Sequence, residues 1–132
     1  MVRIDDRVVV RIDQPSVFVE PGIVVNPRQL ERNIQGGSIQ GISEVLHEVM
    51  TFDKSKITSV DWVTYPILRM KDVPEMKVVI LNRPDLNLVG MGGEAPNGLV
   101  LPAVLAAFFD ATGKWARTLP LRPAFVRELL KA

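Results

Sequence analysis

Residues 26–50 read NPRQLERNIQGGSIQGISEVLHEVM, and this stretch decides the fold of the chain. It opens on a helix start signal, because Asn26 is a favoured N-cap residue and Pro27 is favoured at the first helical position. Apolar side chains then recur at helical spacing on one face, namely Ile39, Ile42, Val45, Leu46 and Val49. We therefore predict that most of this stretch is an amphipathic helix.

The pair Gly36-Gly37 leaves the length of that helix open. One alternative is a helix over 28–35 followed by a second over 38–50, and the other is one long helix with a weak point at the glycines. Each helical glycine costs roughly 1 kcal/mol relative to alanine, so three of them, with Gly41, need a reason. Close packing against a flat surface is one reason, and backbone amides left free for a ligand are another. Gln40 would then present a side-chain amide that both donates and accepts hydrogen bonds.

The rest of the chain alternates short β-branched segments with apolar ones. We predict strands over residues 7–12, 17–19, 23–25, 57–62 and 76–81, and further helices over 99–111 and 123–130. Residues 52–56 are predicted to form a hairpin loop and 82–97 a longer loop, with Pro102 in the first turn of the next helix and Gly113 at its end. We expect one domain over 1–132 with an α+β fold, in which a few mostly antiparallel strands pack on two to four helices.

Charge and composition argue against several classes of function. The formal net charge of +1 gives no electrostatic case for a nucleic-acid partner. There is no cysteine and a single histidine, His47, so we expect neither iron–sulfur ligation nor a self-contained zinc site within this chain. The apolar segment 99–111 is too short to cross a bilayer, so we predict no membrane span.

A second segment that can carry chemistry is residues 90–98, which read GMGGEAPNG. Glycines let a backbone approach a ligand closely, and the lone carboxylate of Glu94 follows them directly. One interpretation is therefore a ligand-contacting loop whose carboxylate lies beside an apolar helix. The same letters are also typical of a flexible surface loop with an incidental glutamate, and local sequence alone leaves both interpretations open.

Taken in order, these segments resemble a known family. The series is Val25-Asn26-Pro27, Gln35-Gly36-Gly37, Gln40-Gly41, Tyr65-Pro66-Ile67, Asp72-Val73-Pro74, the glycine-rich loop with Glu94, Phe109-Asp110-Ala111-Thr112-Gly113 and Leu119-Pro120. It resembles the C-terminal stretch of the molybdopterin-binding subunit of molybdenum hydroxylases, the xanthine dehydrogenase and aldehyde oxidase group. Within that group it is similar to the isoquinoline 1-oxidoreductase and nicotinate dehydrogenase large subunits.

The resemblance implies specific roles for residues of both glycine-rich segments. Gln40 falls on the position of a glutamine that hydrogen-bonds the pterin cofactor, and Glu94 falls on that of a glutamate beside the molybdenum that acts as general base. The glycines implied to lie against the cofactor are Gly36, Gly37, Gly92 and Gly93, and no metal ligand is implied on this chain. The loop departs from the family pattern Gly-x-Gly-Glu-Pro, because Gly93 is an extra glycine and Ala95 precedes the proline.

The resemblance also implies that the chain is part of a larger enzyme. Subunits of this family are several times longer, so we expect partners in the remainder of the molybdopterin subunit and in an iron–sulfur subunit. The complete enzyme would oxidise a small molecule, an aldehyde or an N-heterocycle. We expect the chain alone to hold no molybdopterin, to be inactive and to self-associate through uncovered apolar surface. The alternative is an interaction module that kept the fold and lost the chemistry. Substrate and compartment, cytoplasmic or periplasmic, stay open.

Overall fold

A computed structural model describes residues 1–90 and 93–131 of the chain. Its fold is α+β, with three α-helices and short paired strands, as expected. The strands are β1 (Val2–Ile4), β2 (Val10–Ile12), β3 (Ser16–Gly22), β4 (Phe52–Asp53), β5 (Lys56–Ile57) and β6 (Lys77–Asn82). The helices are α1 (Pro27–Leu46), α2 (Glu94–Thr112) and α3 (Pro123–Lys131), and two short 3-10 turns cover Met70–Asp72 and Pro84–Leu86.

Helix α1 is continuous through the glycines, so the single-helix alternative is correct. The side chain of Asn26 caps it by accepting a hydrogen bond from the backbone N–H of Gln29 at 3.0 Å, and Pro27 opens its first turn. The helix ends at Leu46, four residues before the predicted end at position 50. The next residue, His47, leaves the helical conformation while its N–H still bonds to the carbonyl of Ser43.

The strands form three separate pairs. Pairs β1–β2 and β4–β5 are antiparallel, whereas β3 and β6 are parallel, with Phe18 opposite Val79. A parallel pair needs a crossover connection, and α1 lies within it. Two strand predictions are wrong. Residues 23–25 leave the sheet after Gly22, whose φ of +79° turns the chain, and 58–62 are not extended in a ladder.

Helix α2 begins earlier than its apolar run suggests. The prediction of loop up to residue 97 is wrong, because the helix starts at Glu94 and includes the polar residues before Leu99. Pro102 therefore lies inside the helix rather than in its first turn. Gly113 ends the helix as predicted, with a left-handed φ of +69° that favours glycine.

The core forms where α1, α2 and α3 meet the first hairpin. It is built from apolar residues that are almost fully buried: Val2, Val10, Ile42, Val45, Leu46, Val104, Phe108, Ala116, Leu121 and Val126. Phe108 is completely inaccessible to solvent. This core fixes α1 against α2, so the glycine-rich half of α1 lies beside the start of α2.

Candidate functional site

An open cleft of about 710 Å³ lies between α1 and the start of α2. Its wall is formed by Gln29, Arg32, Asn33, Gly36, Gly37, Gln40, Gly93, Glu94 and Asn97. Five of the six residues singled out from the sequence belong to this wall, although the two segments lie more than fifty positions apart. The sixth, Gly92, lies outside the described residues.

The glycines of α1 have two different surroundings. A Cβ atom at Gly41 would lie 2.7 Å from the carbonyl oxygen of Asn97, and one at Gly37 would collide with the carbonyl oxygen of Gly93. A Cβ at Gly36 would meet nothing within 4 Å. Close packing on α2 therefore accounts for Gly37 and Gly41. It does not account for Gly36, whose missing side chain leaves space in the cleft.

Glu94 is the first residue of α2, and its side chain is exposed at the cleft. The first N–H groups of a helix have no intrahelical partner, and this helix has Gly93 as its N-cap with no side-chain capping bond. The mouth of the cleft thus combines a carboxylate with backbone donors at a helix start. Such donors favour negative charge in a ligand.

Gln40 is exposed at the cleft wall, and its amide is held by a neighbour. Its Nε2 donates to Oε1 of Glu44, one turn further along α1, at 3.2 Å. The Nδ2 of Asn97, on α2, donates to the same oxygen of Glu44 at 3.2 Å. One carboxylate oxygen therefore joins the predicted pterin-contacting residue to the helix that carries Glu94.

Sequence reasoning missed four residues of the cleft wall. They are Gln29, Arg32, Asn33 and Asn97. The first three precede Gly36, Gly37 and Gln40 at steps of three and four, which is the spacing of one helix face. That stripe becomes visible in the sequence only when α1 is taken as one continuous helix rather than divided at the glycines.

The cleft wall is polar and carries one charge of each sign, on Arg32 and Glu94. Amide and guanidinium groups around an open glycine surface suit a ligand that is rich in hydrogen-bonding atoms and carries an anionic group. Among residues 1–90 and 93–131, no three His, Cys, Asp or Glu side chains come together as a group that could hold a metal ion.

The sequence also matches a known family model. Residues 1–74 match the molybdopterin cofactor-binding domain, which is more than half of the chain. The chain belongs to the molybdenum hydroxylase family. The matched residues of this molybdenum hydroxylase chain include Gly36, Gly37 and Gln40, whereas Glu94 lies beyond them.

Curated relatives and solved structures agree with this assignment. The molybdenum hydroxylase chain is 36% identical over 111 residues to a nicotinate dehydrogenase subunit of Pseudomonas putida, covering 84% of this chain and 9% of that protein. It is 34% identical to the beta subunit of isoquinoline 1-oxidoreductase from Brevundimonas diminuta, covering 83% and 14%. Its fold matches quinoline 2-oxidoreductase from Pseudomonas putida 86 with a TM-score of 0.87 at 25% identity, covering 98% and 18%. The chain thus spans less than a fifth of each relative.

Proposed function

We propose that this chain forms one wall of the molybdopterin site of a larger hydroxylase, with Gln40 in contact with the pterin and Glu94 as general base. One observation carries the proposal: the cleft between α1 and α2 joins Gly36 and Gln40 to Glu94. Neither segment alone distinguishes a ligand site from a loop. The two segments lie together at one polar cleft in a chain of this family, and this arrangement favours the interpretation as a ligand site.

The residues of the cleft fit a pterin cofactor. Gly36 offers a flat stretch of helix where any side chain would project into the cleft. Gln29, Asn33 and Gln40 supply amides for the heteroatoms of a ring system, and Arg32 supplies a cation for an anionic group. When bound, molybdopterin supplies the redox centre at which a carbon of an aldehyde or N-heterocycle is hydroxylated.

Glu94 is suited to moving a proton at this cleft. It is exposed, and it forms no ion pair within the described part of the chain, so its carboxylate is available to a group in the cleft. Its place on the first turn of a helix fixes its backbone more firmly than a loop would. These properties are those of a general base that accepts a proton when substrate is activated.

The rest of the site must come from elsewhere. Because the chain spans 9% to 18% of its relatives, most cofactor contacts of a complete site would come from the remainder of such a subunit. An iron–sulfur subunit would carry electrons away. We expect the isolated chain to bind no stoichiometric molybdenum and to turn over no substrate.

The test is Glu94→Gln in the assembled enzyme, with Glu128→Gln as control. Glu128 is exposed on α3 and lies outside the cleft wall. We expect Glu94→Gln to lower kcat by about a hundredfold or more at unchanged molybdenum content, because an amide cannot accept the proton. Unchanged turnover in Glu94→Gln would remove the base role and favour the alternative, a module that keeps the fold without the chemistry.

One local feature, the extra glycine before Glu94, favours the alternative of a non-catalytic module. The extra glycine, Gly93, is the N-cap of α2, so the loop departs from the family pattern at the residue that sets the direction of Glu94. A non-catalytic chain would bind its partners and leave turnover insensitive to position 94.

A further inference from the structure

Glu44 is the one described residue whose side chain binds amides from both helices of the cleft. Its Oε1 accepts from Nε2 of Gln40 and from Nδ2 of Asn97, each at 3.2 Å. Gln40 and Asn97 line the cleft, whereas Glu44 lies half-buried behind them. A pairing of Gln40 with Glu44 alone would be an ordinary contact along one helix face. The second bond comes from the other helix, 53 positions along the chain.

The chemistry of this contact determines how both amides are oriented. An ionised carboxylate only accepts hydrogen bonds, so the NH₂ end of each amide must turn toward Glu44. The carbonyl oxygens, on the opposite side of each amide, are then left for other partners. Both residues line the cleft, so each amide keeps its carbonyl oxygen, its one acceptor group, for a ligand, together with the second N–H of its NH₂ group.

We infer that Glu44 is a positioning residue, which holds Gln40 and Asn97 so that the cleft presents two carbonyl oxygens to a ligand. The inference rests on the proposed cofactor site and specifies which hydrogen-bond acceptors its wall offers. A ligand recognised there offers N–H donors along its edge, as the ring and exocyclic nitrogens of a reduced pterin do. Replacing Glu44 by Gln lets each amide turn around, because the new side chain can both donate and accept.

The first experiment tests the orientation in the 132-residue chain itself. We would record the side-chain NH₂ resonances of Gln40 and Asn97 by NMR in the wild-type chain, in Glu44→Gln and in Glu48→Gln. Glu48 is a matched control one turn further along the chain, where it accepts from the hydroxyl of Tyr65 at 2.9 Å. We expect both NH₂ groups to shift together and exchange with solvent several-fold faster in Glu44→Gln, and to be unchanged in Glu48→Gln. Independent behaviour of the two amides in Glu44→Gln would overturn the inference.

The second experiment measures binding in the assembled enzyme. We expect Glu44→Gln to release molybdopterin about tenfold faster than wild type, while Glu48→Gln releases it at the wild-type rate. The melting temperature of Glu44→Gln should stay near that of Glu48→Gln. If Glu44 served only to hold the two helices together, its replacement would lower the melting temperature instead. Equal release rates in the two variants would overturn the inference. Absence of molybdopterin from the wild-type enzyme would instead contradict the proposed function, so the two failures are distinguishable.

Discussion

At the scale of single residues, the site depends on what each glycine faces. Gly36 and Gly37 are neighbours in the sequence. The sequence allows the same two interpretations for both, a break between helices or a contact with a ligand. In the fold both glycines lie on the cleft wall, but only Gly36 has open space where a Cβ would be, whereas Gly37 allows α2 to approach closely. The residue types at the site were predictable from the sequence. Which glycine serves packing was not, because that depends on how α1 lies against a helix far away in sequence.

His47, the single histidine of the chain, should make stability depend on pH near neutrality. Burial holds the pKa of His47 below its ordinary value of 6.5, and Arg122 adds to the lowering, whereas Asp72 and Glu48 oppose it. The unfolded chain therefore binds this proton at a higher pH than the folded chain. The free energy of unfolding should be highest above pH 6.5 and fall as the pH drops toward the folded pKa.

Urea unfolding of the wild-type chain and of His47→Gln, at several pH values between about 7.5 and 5, measures this dependence. The wild-type stability should decline over that range and that of His47→Gln should decline less. Parallel curves for the two proteins would contradict a half-buried imidazole with a lowered pKa. The range avoids the carboxylates of Asp5 and Asp13, whose pKa values are lowered by hydrogen bonds and by nearby arginines.

At the scale of elements, the arrangement of α1 and α2 creates the cleft. The sequence predicted both helices, the cap at Asn26 and the end at Gly113, because these depend on local chemistry. It did not predict the start of α2 at Glu94. That start depends on the packing of Gly93 and Asn97 against α1, which no local propensity encodes. The parallel partnership of β3 and β6 likewise depends on contacts between distant segments.

A pair of glycine substitutions tests this packing. Alanine at either position gains up to about 1 kcal/mol of helix propensity. We expect Gly36→Ala to raise the free energy of unfolding, because its Cβ meets nothing within 4 Å. Gly41→Ala should lower it by about 1–2 kcal/mol, because its Cβ lies 2.7 Å from a backbone oxygen of α2 and the helices must separate. Chemical denaturation of both variants measures the difference, and equal stabilities would contradict the close approach.

At the scale of the whole molecule, the fold leaves much apolar surface uncovered. Trp62, Val63, Met70 and Leu99 are 68%, 84%, 90% and 70% exposed. By length and composition alone, helix α2 is also long and apolar enough to cross a membrane. Only 17% of its most apolar window is buried inside the fold. Its stripe of Pro96, Val104 and Phe108 nonetheless packs inside the fold. Surface of this kind fits a chain that spans less than a fifth of its relatives.

The isolated chain should therefore self-associate. We expect sedimentation velocity to show a weight-average mass that rises with protein concentration, because association removes exposed apolar side chains from water. The double variant Trp62→Gln/Val63→Thr should reduce that rise, and Arg127→Gln, an exposed polar position on α3, should not. A single monomer species for the wild-type chain at all concentrations would contradict this expectation.

The proposed function depends on the cleft between α1 and α2 holding molybdopterin, and Gly36→Ala tests this most directly. Its control is Gly98→Ala, another helical glycine with open space around its Cβ but outside the cleft wall. The measurement is the molybdenum and pterin content of the assembled enzyme per polypeptide. We predict that Gly36→Ala loses most of its cofactor although its fold is at least as stable, and that Gly98→Ala keeps the wild-type content. Full cofactor content in Gly36→Ala would contradict a molybdopterin site in this cleft.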